Sequence, residues 1–148
     1  MSDQGRVLGL DFGTRRIGLA VSDPEGCFAF PAGTLISKGR KKDLQKLRAL
    51  VEERDIRRIV VGLPLHMNGH VGPEAEAARS FADGVARSTG LPVEMLDERW
   101  TTVEAKRALR DAKGRRTRAA RRGELDSAAA TILLRAYLER RAREGNSP

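Results

Sequence analysis

Three carboxylates stand where chemistry would put them rather than where solubility would. Asp11 closes the otherwise apolar run Arg6-Val-Leu-Gly-Leu-Asp11. Glu98 sits in Asp97-Glu98-Arg99, just past the run Gly90-Leu-Pro-Val-Glu-Met-Leu96. Asp126 directly precedes Ser-Ala-Ala-Ala-Thr-Ile-Leu-Leu134. Each has an ordinary structural explanation: a turn cap, an ion pair with Arg99, and an acid in the first turn of a helix. Acids from three distant segments that converge would repel one another unless a cation sat among them. Oxygen-only ligands suit a hard cation, Mg²⁺ or Mn²⁺. Two such ions, roughly 3.5–4 Å apart, can activate water and stabilise the leaving oxygen in phosphodiester hydrolysis.

The charge balance supplies the matching partner. The chain has 148 residues, with 28 Lys and Arg against 20 Asp and Glu, a net charge of +8. Between Glu104 and Arg122 nine bases face two acids, so this segment carries nearly the whole excess. Its core, Lys113-Gly-Arg-Arg-Thr-Arg-Ala-Ala-Arg-Arg122, has no acid, and such density predicts a mobile basic segment over about 113–122. A second basic run is Lys38-Gly-Arg-Lys-Lys42. Together the runs favour a polyanion over a merely solvated surface. Arg15, Arg16, Arg99, Lys113, Arg115, Arg116, Arg118, Arg121 and Arg122 are the candidate phosphate contacts. Such contacts bind without reading sequence. Aromatic residues are only 4%, which disfavours an aromatic base-stacking platform.

The elements that must position these groups follow from apolar spacing. Arg6–Asp11 and Ile17–Ser22 read as strands, with a turn at Asp23-Pro-Glu-Gly26. A third strand is expected over Cys27–Ile36, interrupted or ended near Pro31. Leu44, Leu47, Leu50 and Val51 mark a helix over Asp43–Arg54. Ile59-Val-Val-Gly-Leu63 is wholly apolar, as a central strand covered on both faces would be. Pro73, Glu74 and Glu76 open a helix whose inner face is Ala78, Phe81, Ala82 and Val85. The Gly90–Leu96 run is the fifth strand, and Thr101-Thr-Val-Glu104 fits a capping box that starts another helix. A last helix is expected from about Glu124 to Arg143, with Asp126 in its first turn. The order β-β-β-α-β-α-β-α-α predicts an α/β fold: a mixed five-stranded sheet, an antiparallel meander then βαβ units, flanked by helices. Strands one, four and five would lie side by side if the later strands add onto the first.

One domain over 1–148 fits the length. The single Cys27 excludes an internal disulfide framework and fits a reducing compartment. The longest uncharged, mostly apolar stretch, Cys27–Ile36, is far short of the roughly 20 residues of a membrane span. No signal peptide is visible, so a cytoplasmic location and no membrane partner are expected. His66 and His70 have a spacing seen in zinc sites, but two loop histidines without further ligands do not make one. Cys27 reads as a small strand residue, and Phe81 and Tyr137 as core or near-core residues.

These residues closely resemble the YqgF family, also called the RuvX or Holliday-junction-resolvase-like family. The matching segments are Gly9-Leu-Asp-Phe-Gly13, Arg16-Ile-Gly18, Val21-Ser-Asp23, Val61-Gly-Leu-Pro-Leu65 and Met67-Asn-Gly69. Asp97-Glu-Arg99, Thr101-Thr102 and Asp126 with Ala128-Ala129 complete the set, in family order over nearly the whole chain. The resemblance implies an RNase H-like fold and a metal-dependent nuclease that matures the precursor of small-subunit ribosomal RNA. By position, Asp11, Glu98 and Asp126 match the family's acidic residues. Arg15 stands where Lys is usual, and Trp100 where Leu is usual. Structured precursor rRNA ranks above branched DNA as substrate, because junction cleavage was inferred from fold similarity. Two other readings compete. Asp11-Phe-Gly-Thr14 also looks like the phosphate-binding turn of actin-like ATPases and sugar kinases, but those pair two such domains over a nucleotide. A non-catalytic RNA-binding assembly factor would keep the bases without needing the acids.

Overall fold

The structure is a computed structural model that describes residues 5–64, 69, 71–98 and 118–145, with residues 118–125 as backbone. Its strands are β1 (Arg6–Phe12), β2 (Arg16–Ser22), β3 (Ala29–Ile36), β4 (Ile56–Leu63) and β5 (Val93–Asp97). Its helices are α1 (Arg40–Glu53), α2 (Pro73–Thr89) and α3 (Arg118–Gly145). The sheet order is β3-β2-β1-β4-β5. β1 to β3 form the antiparallel meander, and β4 and β5 add to β1 in parallel. Strands one, four and five are therefore neighbours, as expected.

Side chains alternate across a strand, so each strand feeds two cores. Leu8 and Leu10 of β1 point to one face with Ile17, Ile59 and Val61, under Leu47 and Val51 of α1 and Phe81 and Val85 of α2. Val7, Ala20, Val60 and Leu96 point to the other face, under Ala130, Leu133, Leu134 and Tyr137 of α3. The spacing of that α3 stripe is helical, and α3 alone covers the second face among the described residues.

Several boundaries differ from the expectation, and four of the differences have a local reason. Cys27 and Phe28 are not in β3: both donate their backbone N–H to Asp23 Oδ1, at 2.8 and 2.7 Å. Cys27 is thus an exposed turn residue rather than a strand residue. Pro31 does not end the strand, because β3 is a sheet edge where a missing N–H is tolerated. α1 begins at Arg40, before Asp43, whose carboxylate reaches back to accept Ser37 Oγ–H at 2.5 Å and Lys38 N–H at 2.9 Å. α3 begins at Arg118 rather than near Glu124, so Asp126 lies in its third turn, not its first. Helix-dipole complementation therefore does not explain Asp126. The capping box at 101–104 lies outside the described residues.

Tyr137 anchors α3 with its ring 2% exposed. Burial, reinforced by the nearby Glu94 carboxylate, pushes its phenol up to about 12. An unfolded tyrosine titrates near 10, so above about pH 10 the unfolded chain loses this proton first and stability falls until about pH 12. Tyr137→Phe should remove that share of the alkaline loss. Thermal unfolding from about pH 9 to 12 should show Tm dropping more steeply for the wild type than for the variant. Parallel curves would clear Tyr137 of the effect.

Candidate active site

Glycine determines where the acids can meet. On the α3 face, β1 presents Val7 and then Gly9, so by alternation it presents Asp11 next. Asp11 pairs across β1–β2 with Gly18. A side chain at Gly18 would run into the backbone carbonyl of Asp126, so α3 rests directly on this strand. On the other flank Leu10 pairs with Val61, which brings Asp11 into the row of Gly62. A Cβ at Gly62 would lie 2.6 Å from Glu98 Oε1, so the Glu98 carboxylate lies folded over that glycine. Asp11 is thus flanked by two bare positions, one roofed by Asp126 and the other by Glu98. Neighbouring strands are about 4.8 Å apart, so the three acids share a small area at the C-terminal ends of β1, β4 and β5.

A second device seats α3 here. The β2–β3 pairing slips between Gly18 and Ala20, and Gly33 takes φ +91 at the slip. Such a bulge leaves ladder groups unpaired. Ser127, 4% exposed, fills the gap: its Oγ accepts Gly33 N–H at 3.1 Å and donates to the Leu19 carbonyl at 2.9 Å. The residue after Asp126 is therefore fixed to two strands at once. Further along α3, a Cβ at Gly9 would lie 3.0 Å from Leu134 Cβ.

The expected phosphate contacts are distributed unevenly. Arg16 does not face solvent alone: its Nε donates to Asp126 Oδ2 at 2.7 Å, with both side chains about one-third exposed or less. Arg15 is exposed at the tip of the β1–β2 hairpin. Arg118, Arg121 and Arg122 fall in the opening turns of α3, and this stretch runs about 12 Å ahead of Asp126 at 1.5 Å per residue. Residues 118–122 of the expected mobile basic segment are therefore helical. Arg99, Lys113, Arg115 and Arg116, and the candidate zinc residues His66 and His70, lie outside the described residues.

Oxygen-only donors on one face fit a hard cation, and Asp11 lies between the other two with no side chain intervening from either glycine. Among the described residues no three acidic, His or Cys side chains are already gathered tightly enough to cage a metal ion. The Asp126 carboxylate is turned onto Arg16, which satisfies its charge in this arrangement. What the acids alone could not reveal is the part played by Gly18, Gly62 and Ser127. The available signal was glycine inside an apolar strand, which marks a close approach of another group.

Comparison with known proteins agrees with this architecture. The family model described as RuvX, Holliday junction resolvase, matches residues 5–140. A relative from Koribacter versatilis, provisionally named pre-16S rRNA nuclease, is 48% identical over 97% of this chain and 93% of its own. One of the same name from Moorella thermoacetica is 45% identical over 95% of this chain and 99% of its own. Among solved structures, Thermus thermophilus RuvC in complex with a Holliday junction superposes with a TM-score of 0.60 at 15% identity, covering 97% of this chain and 98% of that one. The shared fold is the RNase H-like mixed sheet with flanking helices.

The two glycines should respond differently to a methyl group. Gly18→Ala meets helix backbone, which cannot yield, and should cost about 1–3 kcal/mol or more in chemical denaturation. Gly62→Ala meets the end of a flexible side chain, so it should cost less than Gly18→Ala while displacing the Glu98 carboxylate. Equal losses of stability would show that α3 does not rest on Gly18 as described.

Proposed function

Because the chain belongs to the RuvX family, we propose that it is a metal-dependent nuclease that hydrolyses phosphodiester bonds in structured RNA. The observation that carries this is Asp11 set between Gly18 and Gly62, with Asp126 over one glycine and Glu98 over the other. Asp11, Glu98 and Asp126 hold Mg²⁺ or Mn²⁺. Such an ion, when bound, supplies an activated water at neutral pH and screens charge on the phosphate. The remaining work belongs to the chain. The carboxylates fix the place of cleavage, and the bases of the hairpin tip and of the start of α3 hold the flanking phosphates. Arg16 holds the Asp126 carboxylate and would compete with a cation for it, which keeps two acids from facing each other uncompensated.

The substrate we infer is the precursor of small-subunit rRNA, in line with the names of the relatives from Koribacter versatilis and Moorella thermoacetica. The family description favours one alternative, a four-way DNA junction. The experiment compares both substrates, with purified protein and with EDTA, Mg²⁺ or Mn²⁺. RNA cleavage should require the metal, and Asp11→Asn and Glu98→Gln should slow it by at least about a hundredfold, the scale of ~3 kcal/mol in the barrier. Cleavage of the junction alone would transfer the mechanism to DNA. Cleavage of neither, with RNA binding retained, would favour the assembly-factor reading.

The Arg16 exchange has its own readout. Arg16→Gln should lower Tm slightly without divalent ions, since a pair with both side chains partly exposed contributes about 1 kcal/mol. It should also enlarge the rise in Tm on adding Mn²⁺. A rise equal to that of the wild type would show that Arg16 does not compete for Asp126.

A further inference from the structure

The run from Lys38 to Lys42 plays no part in the site described above, yet the fold brings it to the same end of the sheet. Ile36 pairs with Arg16, whose guanidinium holds Asp126. The next residue, Ser37, donates its N–H to the Arg15 carbonyl at 2.9 Å, tying the β3–α1 junction to the hairpin tip. Arg15, Lys38, Lys41 and Lys42 are all exposed there. Among the described residues no acid pairs with Lys38, Lys41 or Lys42. Arg40 is partly committed elsewhere, with its Nη1 donating to the Ser80 carbonyl at 3.4 Å and its guanidinium over the Phe81 ring.

The patch is unfavourable for the isolated protein. Arg40, Lys41 and Lys42 occupy the first turn of α1, where the helix dipole favours acids and disfavours cations. Mutual repulsion adds to this. The one acid in the turn, Asp43, is 3% exposed, and its carboxylate is engaged by Ser37 and Lys38 N–H. That clamp fixes the backbone from which Lys38 projects. The result is a preformed cationic surface spanning two chain segments, at the edge of the sheet end that carries the acids.

We propose that Arg15, Lys38, Lys41 and Lys42 form a second phosphate-binding surface, which grips the sugar–phosphate backbone of the nucleic acid on the side of the site opposite the basic start of α3. α1 and the apolar stripe of α3 lie on opposite faces of the sheet, so a strand that reaches the carboxylates across the α1 side passes this patch first. The grip reads charge spacing and not base identity. The proposal rests on the nuclease reading for the identity of the polyanion, but it is tested by binding rather than by cleavage.

The test is fluorescence anisotropy of a labelled RNA hairpin with a single-stranded 5′ extension, in EDTA, over a range of salt. Lys38→Gln/Lys41→Gln/Lys42→Gln removes the lysines of the patch. Lys46→Gln/Arg48→Gln/Arg54→Gln removes equal charge from exposed positions further along and just past α1. The first variant should weaken binding by at least about tenfold at 0.1 M salt and lower the slope of log Kd against log salt by about two to three. The second should change the slope by less than one. Equal losses in both variants, or an unchanged slope in the first, would overturn the proposal, even for a protein that cleaves RNA. A wild type that binds but does not cleave would instead overturn the nuclease reading and leave the patch in place.

Discussion

The contact on which the site depends is a helix backbone resting on a strand that has no side chain to hold it off. The carbonyl of Asp126 occupies the space a Cβ at Gly18 would need, and Gly9 admits Leu134 in the same way. Without this approach α3 would ride higher on the sheet, and Asp126 would be carried away from Asp11. The closeness has an energetic counterpart in α3, which supplies Ala130, Leu133, Leu134 and Tyr137 to an apolar face that no other described residue covers. Apolar burial at about 25 cal/mol per Å² is non-directional and would tolerate several helix positions. Gly18 and the Ser127 hydroxyl select one of them.

The electrostatics are arranged around that seat. The acids lie on the glycine-bared face, Arg16 reaches in to compensate one of them, and bases rim the same end of the sheet. Neither sign would be comfortable alone. Carboxylates on neighbouring strand ends favour a cation, and clustered lysines and arginines favour an anion. A phosphodiester with a divalent ion satisfies both at once, which is why the arrangement points to a nuclease rather than to a site for a neutral ligand.

Much of this was readable from the chain. The strand–helix order followed from short apolar runs such as Ile59–Leu63 and from the Pro73, Glu74 and Glu76 helix start. The acids could be picked out because each followed or preceded apolar residues that had no use for a charge. The element order anticipates that strands one, four and five adjoin, but not the approach of the acids, which needs α3 to rest on Gly18 and Glu98 to fold back over Gly62. The start of α3 was hidden by competing signals: repulsion among the bases argued against helix, while Arg-Ala-Ala-Arg-Arg is made of strong helix formers. Pro31 misled for a different reason, since only the sheet order reveals that β3 is an edge. Apolar spacing alone starts α1 at Asp43, because nothing local announces that the partners of its carboxylate lie behind it in the chain.

The slip between β2 and β3 extends its influence beyond the site. An edge strand is normally the first part of a sheet to open, since it has neighbours on one side only. Here the Ser127 hydroxyl bridges Gly33 N–H of β3 and the Leu19 carbonyl of β2, so a helix on the flat of the sheet also holds its border. Fraying of β3 therefore breaks a bond to α3, and lifting α3 takes this partner from the Gly33 N–H and from the buried Leu19 carbonyl. The edge and the helix become one cooperative opening unit. The border of the sheet is thus secured from its face, by a helix and not by a further strand.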